Sequence, residues 1–195
     1  MHLNPKTTAI IAMDFQPTIL GTLENPAPLL ARVREAIRVT RAQGGYVATV
    51  RVAFTPEELS SFPASSKMGL RMQSIADKVM SDAASTQVVS EIGAAPTHCA
   101  VRKTRVGPFL TTDLDTQLRN AGIDTVVFAG IHTSGCVLTG VREANDLDYR
   151  IIVLSDACAD PDTVAHDALM HTIFPKQADV MSVSEYSNLL LSEPQ

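Results

Sequence analysis

Three residues of this 195-residue chain carry side chains suited to nucleophilic chemistry and stand where the local pattern changes. Cys136 lies in IHTSGCVL, where a helical pattern begins. A helix N-terminus offers partial positive charge and free N–H groups, which favour a thiolate. Those N–H groups can also hold the oxyanion formed when the thiolate attacks a carbonyl. The plainer reading is a small buried residue, as most free cysteines are. Asp14 ends the apolar run AIIAMD. A carboxylate there is costly to bury without a partner or a task. It can take a proton from Cys136 and pass it to a leaving amine, or it can simply cap the turn after a strand. Lys103, in VRKTRV, is the cation to pair with Asp14 and to stabilise a thiolate, although Arg102 and Arg105 beside it suggest an ordinary surface lysine. His132, four residues before Cys136, is a rival base. It ranks below Asp14 because a turn residue's direction is not fixed by spacing.

The remaining chemistry-bearing residues form no site. His166 and His171 share a helical pattern but lie about 140° apart around its axis, a poor metal pair. His2 and His98 have no identifiable partner, and no zinc-ligand spacing occurs. Cys99 and Cys158 fall in or beside strand-like runs and read as buried residues. There is no G-x-G-x-x-G, no P-loop and no G-x-S-x-G elbow. Three cysteines without a framework predict a reducing, cytoplasmic setting. The first residues lack the pattern of a signal peptide, and the longest apolar runs are of strand length, so no membrane partner is expected. The formal charge of −5, without a basic cluster, argues against a nucleic-acid partner. Arg32, Arg34, Arg38 and Arg41 read as the solvated face of one helix.

Two periodicities position these residues. Runs rich in Val and Ile at Thr8–Asp14, Tyr46–Val52, Thr125–Gly130, Arg150–Ser155 and, more weakly, Asp179–Val183 suit strands buried on both faces. A further short strand is expected near Thr97–Val101. Helical patterns intervene: Leu29 to Thr40 before Gly44, Leu70–Ala83, Leu114 to Ala121, Gly135 to Leu147, Pro161–Phe174 with Asp160 as N-cap, and Ser184–Leu191. Phe54–Met68, with Pro56 and Pro63, reads as a long loop of the kind that often serves function. Alternating strands and helices predict an α/β, three-layer α/β/α sandwich on a parallel, doubly wound sheet, spanning 1–195 as one domain. In such sheets ligands bind beyond the strand C-termini, where Asp14, Arg51, Lys103 and Cys136 all fall.

AIIAMDFQ, VRKTRVGPF and AGIHTSGCVLTGVREA, in that order and each at the end of an expected strand, resemble the isochorismatase-like cysteine hydrolase family. YRIIVLSDACAD fits its fifth strand, and the likeness runs from about Thr8 to Val183. The resemblance implies a six-stranded parallel sheet and a triad of Asp14, Lys103 and Cys136. It also implies a cis peptide at Ile131–His132, an oxyanion hole from the backbone N–H groups of His132 and Cys136, and a homo-oligomer. The nicotinamidase branch carries a histidine-containing metal site after the second strand. Here that segment reads VRVAFTPEEL, without histidine, so neither a metal nor any other cofactor is expected.

These readings converge on a metal-independent cysteine hydrolase that cleaves the C–N bond of a small amide or ureide. Arg51 is a candidate for a substrate carboxylate or ureide oxygen. Phe15, Gln16, Phe54 and Phe109 are the other candidates for lining the pocket. Two alternatives stay open: a vinyl-ether hydrolase of isochorismatase type, and a non-catalytic binding protein on the same fold.

Overall fold

The computed structural model describes residues 3–93 and 98–192. Its elements run β1 (Thr8–Met13), α1 (Pro17–Leu20), α2 (Ala27–Ala42), β2 (Tyr46–Val52), α3 (Pro56–Ser60), α4 (Lys67–Gln73), α5 (Ala76–Val79), α6 (Ser90–Gly93) and β3 (Cys99–Lys103). The second half runs α7 (Leu114–Asn120), β4 (Thr125–Ile131), α8 (Leu138–Asp146), β5 (Arg150–Ala159), α9 (Thr163–Ala168), β6 (Asp179–Met181) and α10 (Val183–Leu191). All strand pairs are parallel, in the order β3-β2-β1-β4-β5-β6. The sheet therefore reverses its winding between β1 and β4, and a crevice opens there at the strand C-termini. Asp14 follows β1, and the turn that carries Cys136 follows β4.

Successive β1 residues divide between two cores, as period-two alternation requires. Ala9, Ile11 and Met13 pack with Leu114, Leu118, Val137, Val141 and Phe174 on one face. Ile10 and Ala12 pack with Val33, Ala36, Ile37, Tyr186 and Leu190 on the other. Both faces are covered, which is why the strands read as unbroken apolar runs. A third cluster, Phe54, Leu59, Phe62 and Val79, lies under the segment between β2 and β3.

Several boundaries differ from the sequence reading. Phe54–Met68 is not one loop: α3 sits within it, started by a Thr55/Glu58 capping box. The helix expected over Leu70–Ala83 is two short ones, α4 and α5, with Ile75 between them in a non-helical conformation. The third strand begins at Cys99; Thr97, where it was expected, lies outside the described residues, as does His2. The N-cap of α9 is Asp162, whose side chain accepts from the Ala165 amide, and not Asp160. Asp160 instead accepts from the backbone N–H and hydroxyl of Ser134, at 2.8 and 2.6 Å, and so anchors the turn before Cys136. His98, for which the sequence offered no partner, stacks on Tyr46 and accepts from the Val47 amide.

Candidate active site

Asp14 leaves β1 in the left-handed region, at φ 63°. A non-glycine residue is costly there and persists only where its surroundings over-determine it. Two bonds fix the bend: the Asp14 amide donates to Val50 O at 2.8 Å, and Gln16 N donates to Asp14 O at 2.8 Å. The Gln16 side chain then ties three segments together. Its amide donates to Val52 O and Thr86 O, and its carbonyl accepts from Val52 N. The result aims the Asp14 carboxyl into the crevice. Lys103, the last residue of β3, reaches it with Nζ 2.7 Å from Oδ2, and both side chains are nearly sealed from solvent, at 1% and 6% exposure. Nζ also donates to Val106 O at 2.6 Å. The second carboxyl oxygen, Oδ1, is buried without a hydrogen-bond partner.

Cys136 supplies the third group. Ile131–His132 is a cis peptide, as the resemblance implied, and a π-helical turn over Thr133–Val137 leads into α8. Within this turn the amides of Gly135 and Val137 donate to His132 O. The Cys136 thiol is buried and donates to Ile131 O at 3.1 Å. Burial pushes the thiol well above its ordinary pKa, and the Asp14 carboxylate adds to this while Lys103 opposes it. The helix terminus was expected to favour a thiolate, but desolvation in the crevice outweighs it, and the nucleophile rests as a thiol from which a base must take the proton. Burial also raises the Asp14 carboxyl above the usual carboxylate range, against the pull of Lys103. Burial alone would lower the Lys103 ammonium, but Asp14 beside it holds it above an ordinary lysine. The set is thus a buried ion pair next to a protonated thiol, with one carboxylate oxygen unused.

His132 lines the same cavity, with Nε2 2.8 Å from Thr22 Oγ1. Burial lowers its pKa, so it is a neutral imidazole at pH 7. The cavity encloses about 260 Å³. Its walls are Ile19, Val52, Met68, Met72, Ile75 and Val106, and it also takes in Arg71 and Arg105.

None of the five side chains suggested as lining is part of this cavity. Phe15 and Phe109 are fully core residues, Phe109 stacking on Tyr149. Phe54 belongs to the cluster beneath α3. Gln16 is consumed by the three bonds that shape the Asp14 bend. Arg51 lines a different cavity and donates to Ser81 O and Thr86 O. Apolar bulk or a place near a strand end marked these residues, but core packing takes the three phenylalanines and backbone groups take the two polar side chains. The residues missed carry a readable signal. Met68, Met72 and Ile75 repeat at i, i+4 and i+7, with Arg71 on the same helical face, inside the segment read partly as a loop. Among the described residues no group of three or more His, Cys, Asp or Glu side chains is placed to hold a metal, and no helix is long and apolar enough to cross a membrane.

Known proteins place this arrangement in context. "Uncharacterized isochorismatase family protein YecD" of Escherichia coli O157:H7 is 32% identical over 193 residues, covering 97% of this chain and all of that protein. The ureidoacrylate amidohydrolase RutB of Methylobacterium radiotolerans is 26% identical over 91% of this chain and 78% of its own. The structure of an isochorismatase family protein from Burkholderia thailandensis superposes with a TM-score of 0.84, covers 98% of each chain and is 27% identical. The isochorismatase domain model matches residues 8–185, which takes in all six strands together with Asp14, Lys103 and Cys136. The chain belongs to the isochorismatase family of hydrolases.

Proposed function

We propose that the chain is a metal-independent cysteine amidohydrolase acting on a small amide or ureide through an acyl-enzyme at Cys136. The observation that carries this is the Asp14 carboxyl: one oxygen held by Lys103, the other buried, unpartnered and beside a thiol. Oδ1 takes the thiol proton as Sγ bonds to the substrate carbonyl carbon. The oxyanion is received by the backbone N–H groups of His132 and Cys136. The intermediate collapses, the C–N bond breaks, and the leaving amine departs with the proton from Asp14. Water then attacks the thioester and gives its proton to Asp14, the acid is released, and the proton returns to Sγ. Lys103 keeps its charge throughout, held by Val106 O, so that one carboxyl oxygen stays anchored while the other exchanges a proton. The similarity to a ureidoacrylate amidohydrolase supports C–N cleavage.

The test is ammonia release from a panel of small amides and ureides. The wild type should release ammonia, and Cys136→Ala, shown folded by its thermal melt, should lose at least a thousandfold. Cys99→Ala and Cys158→Ala should keep most of the activity. Undiminished turnover in Cys136→Ala, or pyruvate release from isochorismate with no ammonia from any amide, would overturn the proposal.

A further inference from the structure

The cavity walls carry more positive charge than the catalytic groups use. Asp14 is neutralised by Lys103. Arg71 and Arg105 line the same space. The Arg71 guanidinium has no hydrogen bond or ion pair among the described residues, although its charge is felt at His132, where it helps to lower the pKa. Arg105 lies with its guanidinium 4.1 Å from the Phe62 ring centroid and donates one N–H to Thr104 O at 2.6 Å. Glu58, whose carboxylate feels the charge of Arg105, is already spent: Arg102 takes both of its oxygens, at 2.7 and 3.0 Å. The pocket therefore presents two guanidinium groups that no carboxylate pairs among the described residues.

Their depth differs from that of the chemistry. Asp14, Lys103 and Cys136 are buried at the floor, Arg105 is half-buried, and Arg71 is exposed at the rim on α4. The rest of the wall is apolar: Val79 is buried, Val52, Met68, Met72 and Ile75 are half-buried, and Val106 is exposed. A substrate that fits this order has its scissile carbonyl inward, an apolar segment in the middle and an anion outward. The planar fork of a guanidinium matches a carboxylate in two parallel bonds. An uncharged substrate of the same shape leaves both cations without a counter-charge. About 260 Å³ is small for a ligand site, which limits the apolar segment to a few carbons.

Resting on the hydrolytic reading above, we propose that this site selects amides or ureides that also carry a carboxylate on a short apolar chain, with Arg71 and Arg105 as its receptors. The two arginines are specificity residues in this assignment, and they take no part in bond breaking.

Binding tests this without turnover. The full chain carrying Cys136→Ala is titrated by calorimetry with the N-carbamoyl derivatives of alanine, valine and leucine, and with their methyl esters. At least one acid should bind tenfold or more tightly than its ester. Adding Arg71→Gln or Arg105→Gln should each cut that ratio at least threefold, and both together should bring it to about one. Arg34→Gln, on the exposed side of α2, should leave the ratio as it was. Equal binding of acids and esters, a preference that survives in the double variant, or no acid bound at millimolar concentration would overturn the proposal. A wild type that releases no ammonia from any amide or ureide, while the charge preference holds, instead overturns the hydrolytic reading.

Discussion

Asp14 has to be an ion-pair partner and a proton carrier with the same carboxyl group. The geometry allows both because its two oxygens have different environments, Oδ2 against Lys103 and Oδ1 without a partner. The protonation state matters as much as the position. The thiol is held protonated by burial and by Asp14, so a base must act in each turnover. His132 is neutral and also lines the cavity, but its Nε2 faces Thr22. Asp14→Asn should therefore lose about 10²–10⁴-fold in turnover, the usual range for a general base, while His132→Ala keeps its backbone N–H and loses less. The acid must be ionised to accept the thiol proton, and burial raises its pKa. So kcat/KM in the wild type should fall as pH drops, through a midpoint above the usual carboxylate range. Asp14→Asn also leaves Lys103 buried and unpaired, at a cost of about 3–5 kcal/mol, so thermal melts must accompany the kinetics. A folded Asp14→Asn near wild-type turnover beside an inactive His132→Ala would replace the triad with a Cys–His dyad.

At the scale of elements, the loop after β3 does the least visible work. It returns Val106 O to Lys103, and what holds it is Glu143 on α8, whose carboxylate accepts from the Phe109 amide at 3.0 Å. Gly107 lies directly against that carboxylate, and a Cβ there would overlap it. Gly107→Ala should push the loop off Glu143, shift Val106 O, and lower kcat by an order of magnitude or more at modest cost in melting temperature. Turnover equal to wild type would show that Lys103 does not depend on this brace. Neither Gly107 nor Glu143 was legible as part of the site, because the contact joins residues 36 positions apart and carries no local pattern. The strands were legible for the opposite reason: burial on both faces writes an apolar run into the sequence itself. Asp14, Lys103 and Cys136 could be singled out as candidates because each sits at the end of such a run or the start of a helix, and the family resemblance joined them into a triad. The pocket walls were legible only in part: Met68, Met72 and Ile75 repeat at helical spacing, but Phe15 and Phe109 look equally suited to a core and to a cavity until the layers are known. Asp160 shows the same ambiguity: proline after it suggested a helix cap, and the fold uses it to hold the Ser134 turn.

Across the whole molecule, the crevice lies beyond the ends of the strands, while α2 and α10 close one face of the sheet. Stability and chemistry should therefore separate. The tie between α2 and α10 is a buried hydrogen bond, Thr40 Oγ1 to Tyr186 Oη at 2.7 Å. The Thr40 hydroxyl already donates to Ala36 O at 2.8 Å, so the Tyr186 hydroxyl is the donor between them. Tyr186→Phe keeps the ring, keeps the Thr40 proton satisfied, and removes one acceptor's partner. That should cost about 0.5–1.5 kcal/mol. For a chain of this length about 1 kcal/mol lowers the melting temperature by roughly 2–4 °C. The aromatic ring still fills its place between Val33, Ile37 and the sheet, so no cavity forms and no larger loss is expected. Since Asp14, Lys103 and Cys136 are braced by Gln16, Val106 and the Ser134 turn, and not by α10, kcat/KM at temperatures below the transition should match wild type. Melting curves and initial rates on the same preparation measure both. A loss of turnover in proportion to the loss of stability would mean that the α2–α10 layer sets the crevice geometry, and that the floor of the site is not held by its local bonds alone.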